Sequence, residues 1–509
     1  VPCKPTKSNG NRTRNRPCHD INKWETFKKY CMRDVDVERQ IADKLKMYPI
    51  SDEEHRLYVL DQIINDRGVL VDSELAEQAV KLNSIQTAVA VEQAYMITGL
   101  ENPNSVTQLK QWLKEKGVEI ESLSKKSVKS LADETDGDVS EMLKLRLLMA
   151  KTSVKKYEAV IRSVCSDNRV HGMMRFCGAN RTGRWSGNIL QPQNLPQNHL
   201  PDLTLARDIV KDGDFEMLDM MFGNVPNVLS ELIRTVLIPK PNHRFIVADF
   251  SAIEARVLAW IAGEQWRIDT FKNGGDIYCA SASKMFKVPV EKHGVNGELR
   301  QKGKISELAC GYGGSVGALK NMGAVEMGVQ ENELQGLIND WRNANPHIVR
   351  FWYEVGNAAM KAIKEKTTVP LGKLVFAYER GILFIRLPSG RRLSYIKPRI
   401  GTNRFGGDSI TYMGINSAKK WDRLETFGGK LTENIVQGTA RDLLANALIN
   451  AANAGYDTVF HVHDEIICEV PNGYGSVDEL CKLMCIKPEW ADGLPLNADG
   501  FECEYYKKE

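Results

Sequence analysis

The sequence predicts an α+β fold in several lobes, and three observations support this. Residues 245–248 form a short apolar run that is typical of a buried strand, and apolar residues recur after it at helical spacing. Residues 458–470 contain two apolar runs on either side of a polar cluster, which predicts a tight hairpin. Long stretches such as residues 331–366 have helical periodicity. A chain of 509 residues is long enough for several domains or for one large enzyme of several lobes.

The composition, with 42% hydrophobic and 26% charged residues, is that of an ordinary soluble globular protein. The net charge of +3 is small, so binding of nucleic acid would depend on local basic patches. The 11 cysteines are scattered without a Cys-x-x-Cys pair, which predicts free thiols in a reducing cytosol and no zinc site. No apolar run approaches the roughly 18 residues of a membrane span and no signal peptide is visible. We therefore expect a cytoplasmic protein without a membrane partner.

The start of the chain combines an irregular segment with a helix. Residues 1–20 lack hydrophobic periodicity and predict an extended leader. Residues 24–45 predict one amphipathic helix that contains Tyr30 and Asp34. Because the chain begins at Val1 without a methionine, we expect a fragment or a processed product.

Basic side chains occur in two different settings. Residues 105–165 predict helices with many lysines, and a solvated helical face explains most of these lysines. Residues 175–198 are polar and Gly-rich and contain three arginines, so they cannot form a core element. Such a loop predicts a surface that faces phosphate groups or a groove. The alternative is an irregular loop held by its own amides.

A carboxylate follows the buried strand. Asp249 stands where the strand ends, and Ser251 with Glu254 three residues later predicts a capping box for the next helix. Taken alone, Asp249 would be interpreted as a helix cap. The polar cluster at residues 463–465 places a second carboxylate, Asp464, at the bend of the predicted hairpin. Two carboxylates on two rigid elements predict a divalent-metal site for phosphoryl transfer.

Residues 300–317 predict a helix with a binding face. Arg300, Lys304, Leu308 and Tyr312 recur every four residues, which places them along one side of a helix. Two cations followed by an apolar and an aromatic position suit a nucleoside triphosphate that lies along the helix, with the cations at its phosphates.

The remaining segments are predicted more coarsely. Residues 367–400 predict strands with a turn at 388–390, whereas the Gly-rich residues 401–430 predict a loop. Residues 433–442 open an apolar helix, and residues 474–509 predict an amphipathic helix with a polar end.

Residues 249–256, 300–312 and 463–465 resemble motifs A, B and C of family A DNA polymerases, in the order of that family. Residues 175–198 resemble a loop of the bacteriophage branch of the same family. The resemblance implies a right-hand polymerase fold with an antiparallel-sheet palm, a helical thumb and helical fingers. The implied domains are a remnant of a 3′–5′ exonuclease domain (1–48), the thumb (49–170), a first palm segment (171–262), the fingers with inserted strands (263–436) and a second palm segment (437–509).

The activity implied by the resemblance is that of a DNA-directed DNA polymerase, which adds dNTPs to the 3′-hydroxyl of a primer annealed to template DNA. Asp249 and Asp464 would bind two Mg²⁺ ions, with Mn²⁺ as a substitute. Lys304 would stabilise the α-phosphate, and Glu465 would lie close to the metals as a further catalytic residue.

The resemblance also implies nucleotide contacts. Arg300 would hold the outer phosphates, Glu254 would crowd the 2′ position of the sugar, and Tyr312 would stack at the templating position. Tyr278 stands where many relatives have a histidine that contacts the phosphates. Leu308 stands where they have an aromatic residue that governs acceptance of dideoxynucleotides. The chain therefore departs from the family pattern at both positions.

The contacts to DNA follow from the same resemblance. Arg184 would touch the minor groove at the primer end, Gln437 would lie near the insertion site, and His463 would support the primer end. Arg181 and Asn194 belong to the same loop as Arg184 and are further candidates. The thumb would grip the duplex backbone through contacts that are independent of DNA sequence.

Tyr30-x-x-x-Asp34 resembles the last motif of the proofreading exonuclease that is fused to many such polymerases. Residues 1–29 contain no Asp-x-Glu, and a single remaining ligand cannot hold two metals. We therefore expect no proofreading from this chain and an exonuclease domain that has been removed or is encoded separately. We also expect a monomer that acts in phage or plasmid-type replication, in the host cytoplasm if it is viral.

Three other functions compete with the polymerase. A silent DNA-binding subunit would need the two carboxylates to be missing or mispaired, and both are present. A nuclease is disfavoured by the isolated exonuclease motif. A single-subunit RNA polymerase shares the palm, but Glu254 and the Gln-Asn-Leu-Pro sequence favour deoxynucleotides. Extension with dNTPs and with rNTPs discriminates between a DNA polymerase and an RNA polymerase.

Overall fold

The computed structural model describes residues 2–149, 154–403 and 406–508. Within them the α-helices are α1 (Ile21–Leu45), α2 (Asp52–Arg67), α3 (Ser73–Thr98), α4 (Val106–Glu115), α5 (Lys125–Glu134), α6 (Gly137–Met149), α7 (Lys155–Ser163), α8 (Leu203–Asp212), α9 (Phe215–Phe222), α10 (Val225–Leu232), α11 (Ile253–Ala262), α12 (Gln265–Lys272), α13 (Ile277–Phe286), α14 (Leu299–Cys310), α15 (Val316–Asn321), α16 (Leu334–Ala344), α17 (Pro346–Glu365), α18 (Gly428–Asn453) and α19 (Val477–Met484). The β-strands are β1 (Val69–Val71), β2 (Arg169–Val170), β3 (Met174–Arg175), β4 (Ser186–Gly187), β5 (Leu237–Ile238), β6 (His243–Phe250), β7 (Thr368–Leu371), β8 (Leu374–Glu379), β9 (Ile382–Arg386), β10 (Arg392–Thr402), β11 (Asp408–Ile415), β12 (Trp421–Thr426), β13 (Thr458–Val462), β14 (Glu465–Pro471) and β15 (Ala498–Cys503).

The chain divides into two compact units, Val1–Val59 and Leu60–Glu509. In the first unit, α1 begins after Asp20, whose side chain accepts a hydrogen bond of 2.9 Å from the backbone N–H of Lys23. This helix confirms the predicted helical segment, and none of its described residues is buried. The described residues before it form short 3-10 turns and an isolated antiparallel bridge between Pro2 and Arg14.

A four-stranded antiparallel sheet of order β13-β14-β6-β15 lies at the centre of the second unit. The predicted strand and hairpin are confirmed as β6 and as β13 with β14. Strand β15 pairs with the other edge of β6, whereas the sequence predicted only a polar end in that region. β15 was missed because exposed polar residues alternate along it and dilute the apolar pattern.

Both faces of β6 are buried, which explains its continuous apolar sequence. On one face Ile246 and Ala248 pack with α11 and α18, for example with Val257 and Leu443. On the other face Phe245 and Val247 pack in a second core with residues of α3, α8 and α10. Packing on both faces therefore fixes the position of β6, and with it the position of a residue at its end.

Helices α11–α17 form a helical region with a buried ion pair at its centre. The Arg267 guanidinium on α12 donates to Glu307 on α14 at 2.8 Å, and both side chains are almost fully buried. Ser281 and Trp341 also donate to Glu307, at 2.7 and 2.8 Å. Because a buried carboxylate is costly unless its oxygens are hydrogen-bonded, this network fixes α14 against its neighbours.

A six-stranded antiparallel sheet of order β12-β11-β10-β9-β8-β7 packs against α17. Strands β7 to β10 confirm the prediction for residues 367–400, but the loop predicted for residues 401–430 is wrong. Strands β11 and β12 occupy much of that segment and pair along six residues. The error arose because the buried alternation of β11, at Ile410 and Tyr412, is short. Glycines and a polar turn surround it and make the segment resemble a loop.

A separate helical cluster is formed by α4, α5, α6 and the second half of α3. Its buried residues include Leu109, Leu113 and Leu143, so the lysine-rich segment folds as predicted, with its apolar residues inside. Among the residues that the structure describes, no helix is long and apolar enough to cross a membrane.

Candidate active site

Asp249 and Asp464 meet at the end of the central sheet. Asp249 lies at the end of the pairing between β6 and β14, where its Cα partner is Glu465. The backbone N–H of Phe250 donates to the carbonyl oxygen of Asp464 at 3.2 Å. His463 adopts a positive φ of 55°, which allows the chain to reverse tightly between β13 and β14. Two aspartates that are distant in the sequence are thereby brought together, Asp249 at the end of β6 and Asp464 in the turn before β14.

The two carboxylates are in an environment that opposes their negative charge. Burial raises the pKa of Asp249, and the charges of Asp464 and Glu465 raise it further. Burial also raises the pKa of Asp464, against the influence of nearby Arg184. Lys508 acts in the opposite direction to burial on the pKa of both aspartates. A cation between these groups would remove most of the electrostatic cost.

The residues present fit a divalent ion. The Oδ1 atom of Asp249 is buried and has no hydrogen-bond partner in the described part of the chain, which is costly unless a cation or another donor satisfies it. Carboxylate oxygens are the ligands that Mg²⁺ prefers. No group of three or more His, Cys, Asp or Glu side chains arranged for a metal occurs within residues 2–149, 154–403 and 406–508. The unpartnered oxygen of Asp249 and the raised pKa values of both carboxylates make the aspartate pair the candidate metal site.

Glu465 is engaged by the protein itself. The hydroxyl of Tyr506 donates to Glu465 Oε1 at 2.7 Å, and Arg234 donates to the Tyr506 oxygen at 3.0 Å. Lys508 Nζ lies 3.7 Å from Glu465 Oε2. No sequence pattern indicates Tyr506 or Lys508, since they belong to a polar segment and reach the site only because β15 pairs with β6.

The predicted capping box at Ser251 is wrong. Helix α11 begins after Ala252, which adopts a positive φ of 50° and provides no side-chain cap. The Ser251 hydroxyl instead donates to Asp499 on β15. Glu254 accepts hydrogen bonds of 2.7 Å from Arg184 and from the hydroxyl of Tyr312, so its carboxylate points away from the backbone N–H of a cap.

Residues predicted from five separate segments line one cavity of about 580 Å³. This volume is within the range of small-molecule sites. The predicted residues on its wall are Glu254, Tyr278, Leu308, Tyr312, Gln437 and Asp464. The sequence placed them together only through the family resemblance, and the fold brings them to the same space.

Arg300 and Lys304 lie on α14 at successive turns, and Leu308 lies one turn further along. Arg300 Nε is 2.9 Å from Asp276 Oδ2, and Asp276 also caps α13 through the backbone N–H groups of Tyr278 and Cys279. Asp276 was not identified as a site residue from the sequence. In the sequence, such a residue can be recognised only as a helix cap, because its pairing with a distant arginine leaves no pattern.

Of the five residues predicted to contact DNA, three line one or the other of two cavities. Arg184 and His463 line a second, small cavity beside the hairpin, and Gln437 lines the large one. Arg181 lies 4.4 Å from the ring of Tyr412 on β11, and Asn194 is exposed. Arg181 therefore also fixes its loop to the six-stranded sheet through a cation–π contact.

A network of buried and partly buried side chains packs against the hairpin of β13 and β14. The ring of His461 lies 4.7 Å from that of Trp185, and the Trp185 Nε1–H donates to Asp61 at 2.9 Å. Burial and the nearby charge of Arg441 lower the pKa of His461 to about 3, so this histidine is neutral. No sequence spacing connects Asp61, Trp185 and His461, because each lies on a different element.

Both the sequence and the fold resemble those of known proteins. The sequence profile of DNA polymerase family A matches residues 73–485. A DNA polymerase of Bacillus phage SP02 is 53% identical over 512 residues, which covers 100% of this chain and 79% of the relative. DNA polymerase I of Rhizobium leguminosarum is 29% identical over 47% of this chain and 20% of the relative.

The thermostable DNA polymerase I of Thermus aquaticus is 27% identical over 51% of this chain and 27% of its own length. The chain thus spans about four fifths of the phage relative and a much smaller share of these bacterial enzymes. Among solved structures, the POL domain of Pol1 from M. smegmatis in complex with DNA primer-template and dNTP matches with a TM-score of 0.60. That match has 20% identity and covers 88% of this chain and 68% of the other, so it supports the fold. The chain belongs to family A of the DNA-directed DNA polymerases.

Proposed function

We propose that this chain adds dNTPs to the 3′-hydroxyl of a primer on template DNA, by phosphoryl transfer assisted by two Mg²⁺ ions. One observation carries the proposal: Asp464, which lies in the turn beside the end of β6 that carries Asp249, lines the same cavity as Glu254, Leu308 and Tyr312. Carboxylates that face a cavity with an aromatic and an apolar wall match the charged and the apolar parts of a nucleotide.

Asp249 and Asp464 would hold the metal ions. Mn²⁺ could replace Mg²⁺ because both ions bind carboxylate oxygens. When bound, the ions would lower the pKa of the primer hydroxyl and neutralise charge on the phosphates. The protein's own contribution is to hold the reacting groups in place in an environment of fixed charges, which accounts for most of the catalysis in such reactions.

The cations of α14 bind the triphosphate in this proposal. Lys304 would contact the α-phosphate and Arg300 the outer phosphates. The ion pair with Asp276 supports this role because it fixes the Arg300 guanidinium, which can then bind phosphate through the N–H groups that remain. Tyr278 would donate one hydrogen bond without a charge, and its ring centroid is 5.2 Å from the Arg300 guanidinium.

The sugar and the templating base are assigned to the other side of the cavity. Glu254 would exclude a 2′-hydroxyl, and Tyr312, which donates to Glu254, would stack at the templating position. Leu308 would lie beside the sugar, where its exposed side chain offers no aromatic ring.

Contacts to DNA are assigned to the loop, the hairpin and α18. Arg184 would reach the minor groove and His463 the primer end, with Arg181, Asn194 and Gln437 nearby. Under this proposal residues 49–170 are the thumb, 263–436 the fingers, and 171–262 with 437–509 the palm.

We further propose that residues 1–48 resemble the end of a 3′–5′ exonuclease domain and that the residues of this chain do not proofread by themselves. The support is the exposed helix α1 with Tyr30 and Asp34, since a single acidic ligand of that motif cannot hold two metal ions. A role in phage-type replication is supported by the identity to the phage polymerase. That the chain acts as a monomer in the host cytoplasm is a proposal that rests on the family resemblance.

Primer extension tests the proposal. The protein is mixed with Mg²⁺ and a primer-template, once with dNTPs and once with rNTPs, and the primer ends in either a matched or a mismatched nucleotide. We expect dNTP addition to the matched primer and no removal of the mismatched nucleotide. Extension with rNTPs at a similar rate would indicate an RNA polymerase. A complete lack of extension would favour a silent DNA-binding subunit.

A further inference from the structure

The hairpin of β11 and β12 has an outward face that the function described so far does not use. Cross-strand partners lie on the same face of a sheet, and Ile415 pairs with Trp421 at the tip of this hairpin. Trp421 is 58% exposed and Ile415 is 47% exposed. A tryptophan with this exposure at a hairpin tip does not contribute to a core.

The inward face fixes the hairpin to the rest of the polymerase. Ile410 and Tyr412 are buried in the core against α17, and Arg181 stacks on the Tyr412 ring at 4.4 Å. Arg181 is three residues from Arg184, which donates to Glu254 in the nucleotide cavity. The hairpin is therefore a rigid part of the wall that carries the proposed active site.

The outward face is rich in cations. Arg423 donates to the Thr411 hydroxyl at 3.1 Å and to the Lys397 carbonyl, and its neighbour across β11, Arg399, is exposed. Lys419 and Lys420 are exposed in the turn of the hairpin. The carboxylates of the hairpin near these cations are Glu425, opposite Thr411, and the exposed Asp422, which accepts a hydrogen bond from the Asn416 amide. The four cations exceed the two carboxylates, and this excess complements the negative charge of a phosphate backbone.

The face continues to the templating position. After β12, Phe427 has an extended backbone with φ −147° and ψ 171°, so the alternation that exposes Trp421 also exposes Phe427, at 58%. A methyl group in place of the Gly429 hydrogen would collide with the Tyr312 carbonyl oxygen and lie 2.9 Å from the Phe427 ring. Phe427 is therefore beside Tyr312, and Trp421 is about 20 Å further along the strand.

We propose that this face, from Lys419 to Phe427, binds the unpaired template strand on its way to Tyr312. Exposed aromatic rings stack on bases of any sequence, and the cations contact the phosphates between them. The inference rests on the proposed polymerase function, because Tyr312 is a templating position only within it. A protein partner would also accept exposed apolar residues, but the excess of cations favours a nucleic acid.

Binding of primer-templates that differ only in the length of the unpaired template tests the proposal. One labelled primer is annealed to templates with overhangs of one, four and eight nucleotides, and Kd is measured by fluorescence anisotropy. For the wild type we expect Kd to fall as the overhang lengthens. In Trp421→Ala that gain should shrink about fivefold or more, the loss expected for one stacked base. Trp421→Phe should retain most of the gain.

Two further variants keep the test decisive. Tyr353→Ala removes an aromatic residue of α17 that is 69% exposed, and should bind every template like the wild type. A double variant with Lys419→Gln and Lys420→Gln should reduce the slope of log Kd against log salt by about one, as expected for the loss of two contacts to single-stranded phosphates. This readout remains if Trp421→Ala fails to fold.

The outcomes separate this inference from the proposed function. If the wild type does not extend a primer on the template with a one-nucleotide overhang, the polymerase proposal fails. If it extends that primer but its Kd does not depend on the overhang, the hairpin proposal is overturned. Two other results overturn the hairpin proposal alone: an overhang gain that persists in both the Trp421 and the lysine variants, and equally tight binding of a downstream duplex.

Discussion

Glu465 is the cross-strand partner of Asp249, yet its carboxylate accepts the hydroxyl hydrogen of Tyr506. Tyr506 is fully buried, and its ring meets that of Phe460 edge to face at 5.0 Å. The Oδ1 atom of Asp249, by contrast, has no hydrogen-bond partner among the described residues. The surroundings of the two neighbouring carboxylates therefore differ: Glu465 has a protein donor, whereas Asp249 Oδ1 has none among the described residues, which supports the proposal that Asp249 binds a cation.

Tyr506→Phe tests the first half of this division. Removing the hydroxyl leaves the buried Glu465 carboxylate short of a donor, which costs about 1–3 kcal/mol. We expect a lower melting temperature, because the buried Glu465 carboxylate loses the donor that stabilises its ionised form. Tyr505→Phe is the matched control, since its hydroxyl contacts Thr204 near the surface. Equal behaviour of the two variants would contradict the role given to Tyr506.

Glu254 is proposed to exclude ribonucleotides, and the size of its side chain predicts how two substitutions differ. Glu254→Ala removes the side chain that narrows the cavity, so incorporation of rNTPs relative to dNTPs should rise by about tenfold or more. Glu254→Gln keeps the size of the side chain and should retain most of the discrimination. The measurement is the ratio of kcat/KM for matched dNTP and rNTP. A ratio that is the same in the wild type and in Glu254→Ala would remove the proposed role.

His461 predicts a pH dependence of stability. Its pKa is lowered to about 3 by burial and by Arg441, whereas in the unfolded chain it is near 6.5. The unfolded state therefore binds the proton first, and stability is lost as the pH falls below about 6.5, by about 2 kcal/mol at pH 5. His461→Phe should reduce the difference in melting temperature between pH 8 and pH 5. The exposed His199→Gln should leave that difference unchanged, and an unchanged difference in His461→Phe would contradict the account.

Asp249 predicts an effect of metal removal. Because its folded-state pKa is raised, chiefly by burial, the ionised carboxylate destabilises the fold, and stability is lost as the pH rises through that folded-state pKa. In EDTA at pH 8, Asp249→Asn should therefore melt at a higher temperature than the wild type. Addition of Mg²⁺ should raise the melting temperature of the wild type more than that of the variant. A variant that is less stable than the wild type in EDTA would argue against the electrostatic cost.

The features of the site that could be predicted from the sequence are those with a local signal. The strand that ends at Asp249 and the hairpin that carries Asp464 are both encoded by contiguous apolar runs beside a polar break. The helical spacing of Arg300, Lys304 and Leu308 is likewise a local property, and these residues lie on α14 as predicted. Tyr312, predicted on the same helix, lies beyond its end at Cys310, so that part of the prediction is wrong.

The features that were missed depend on long-range packing. Tyr506 reaches Glu465 through the pairing of β15 with β6, and Asp276 reaches Arg300 through the packing of α13 on α14. Neither contact has a spacing in the sequence. The hairpin with Trp421 was missed for another reason, because its short strands are separated by a polar turn that is typical of a loop.

The most direct test of the account is single-nucleotide incorporation by Asp464→Asn, with DNA binding measured on the same preparation. The variant keeps the shape of the side chain but loses the charge beside Asp249. We expect the rate of incorporation to fall by at least about a hundredfold, as for the loss of a major electrostatic contribution, while the Kd for primer-template DNA stays unchanged. Asp219→Asn, on the surface of α9, should incorporate nucleotides like the wild type. A normal rate in Asp464→Asn would show that the chemistry does not occur at this pair of aspartates.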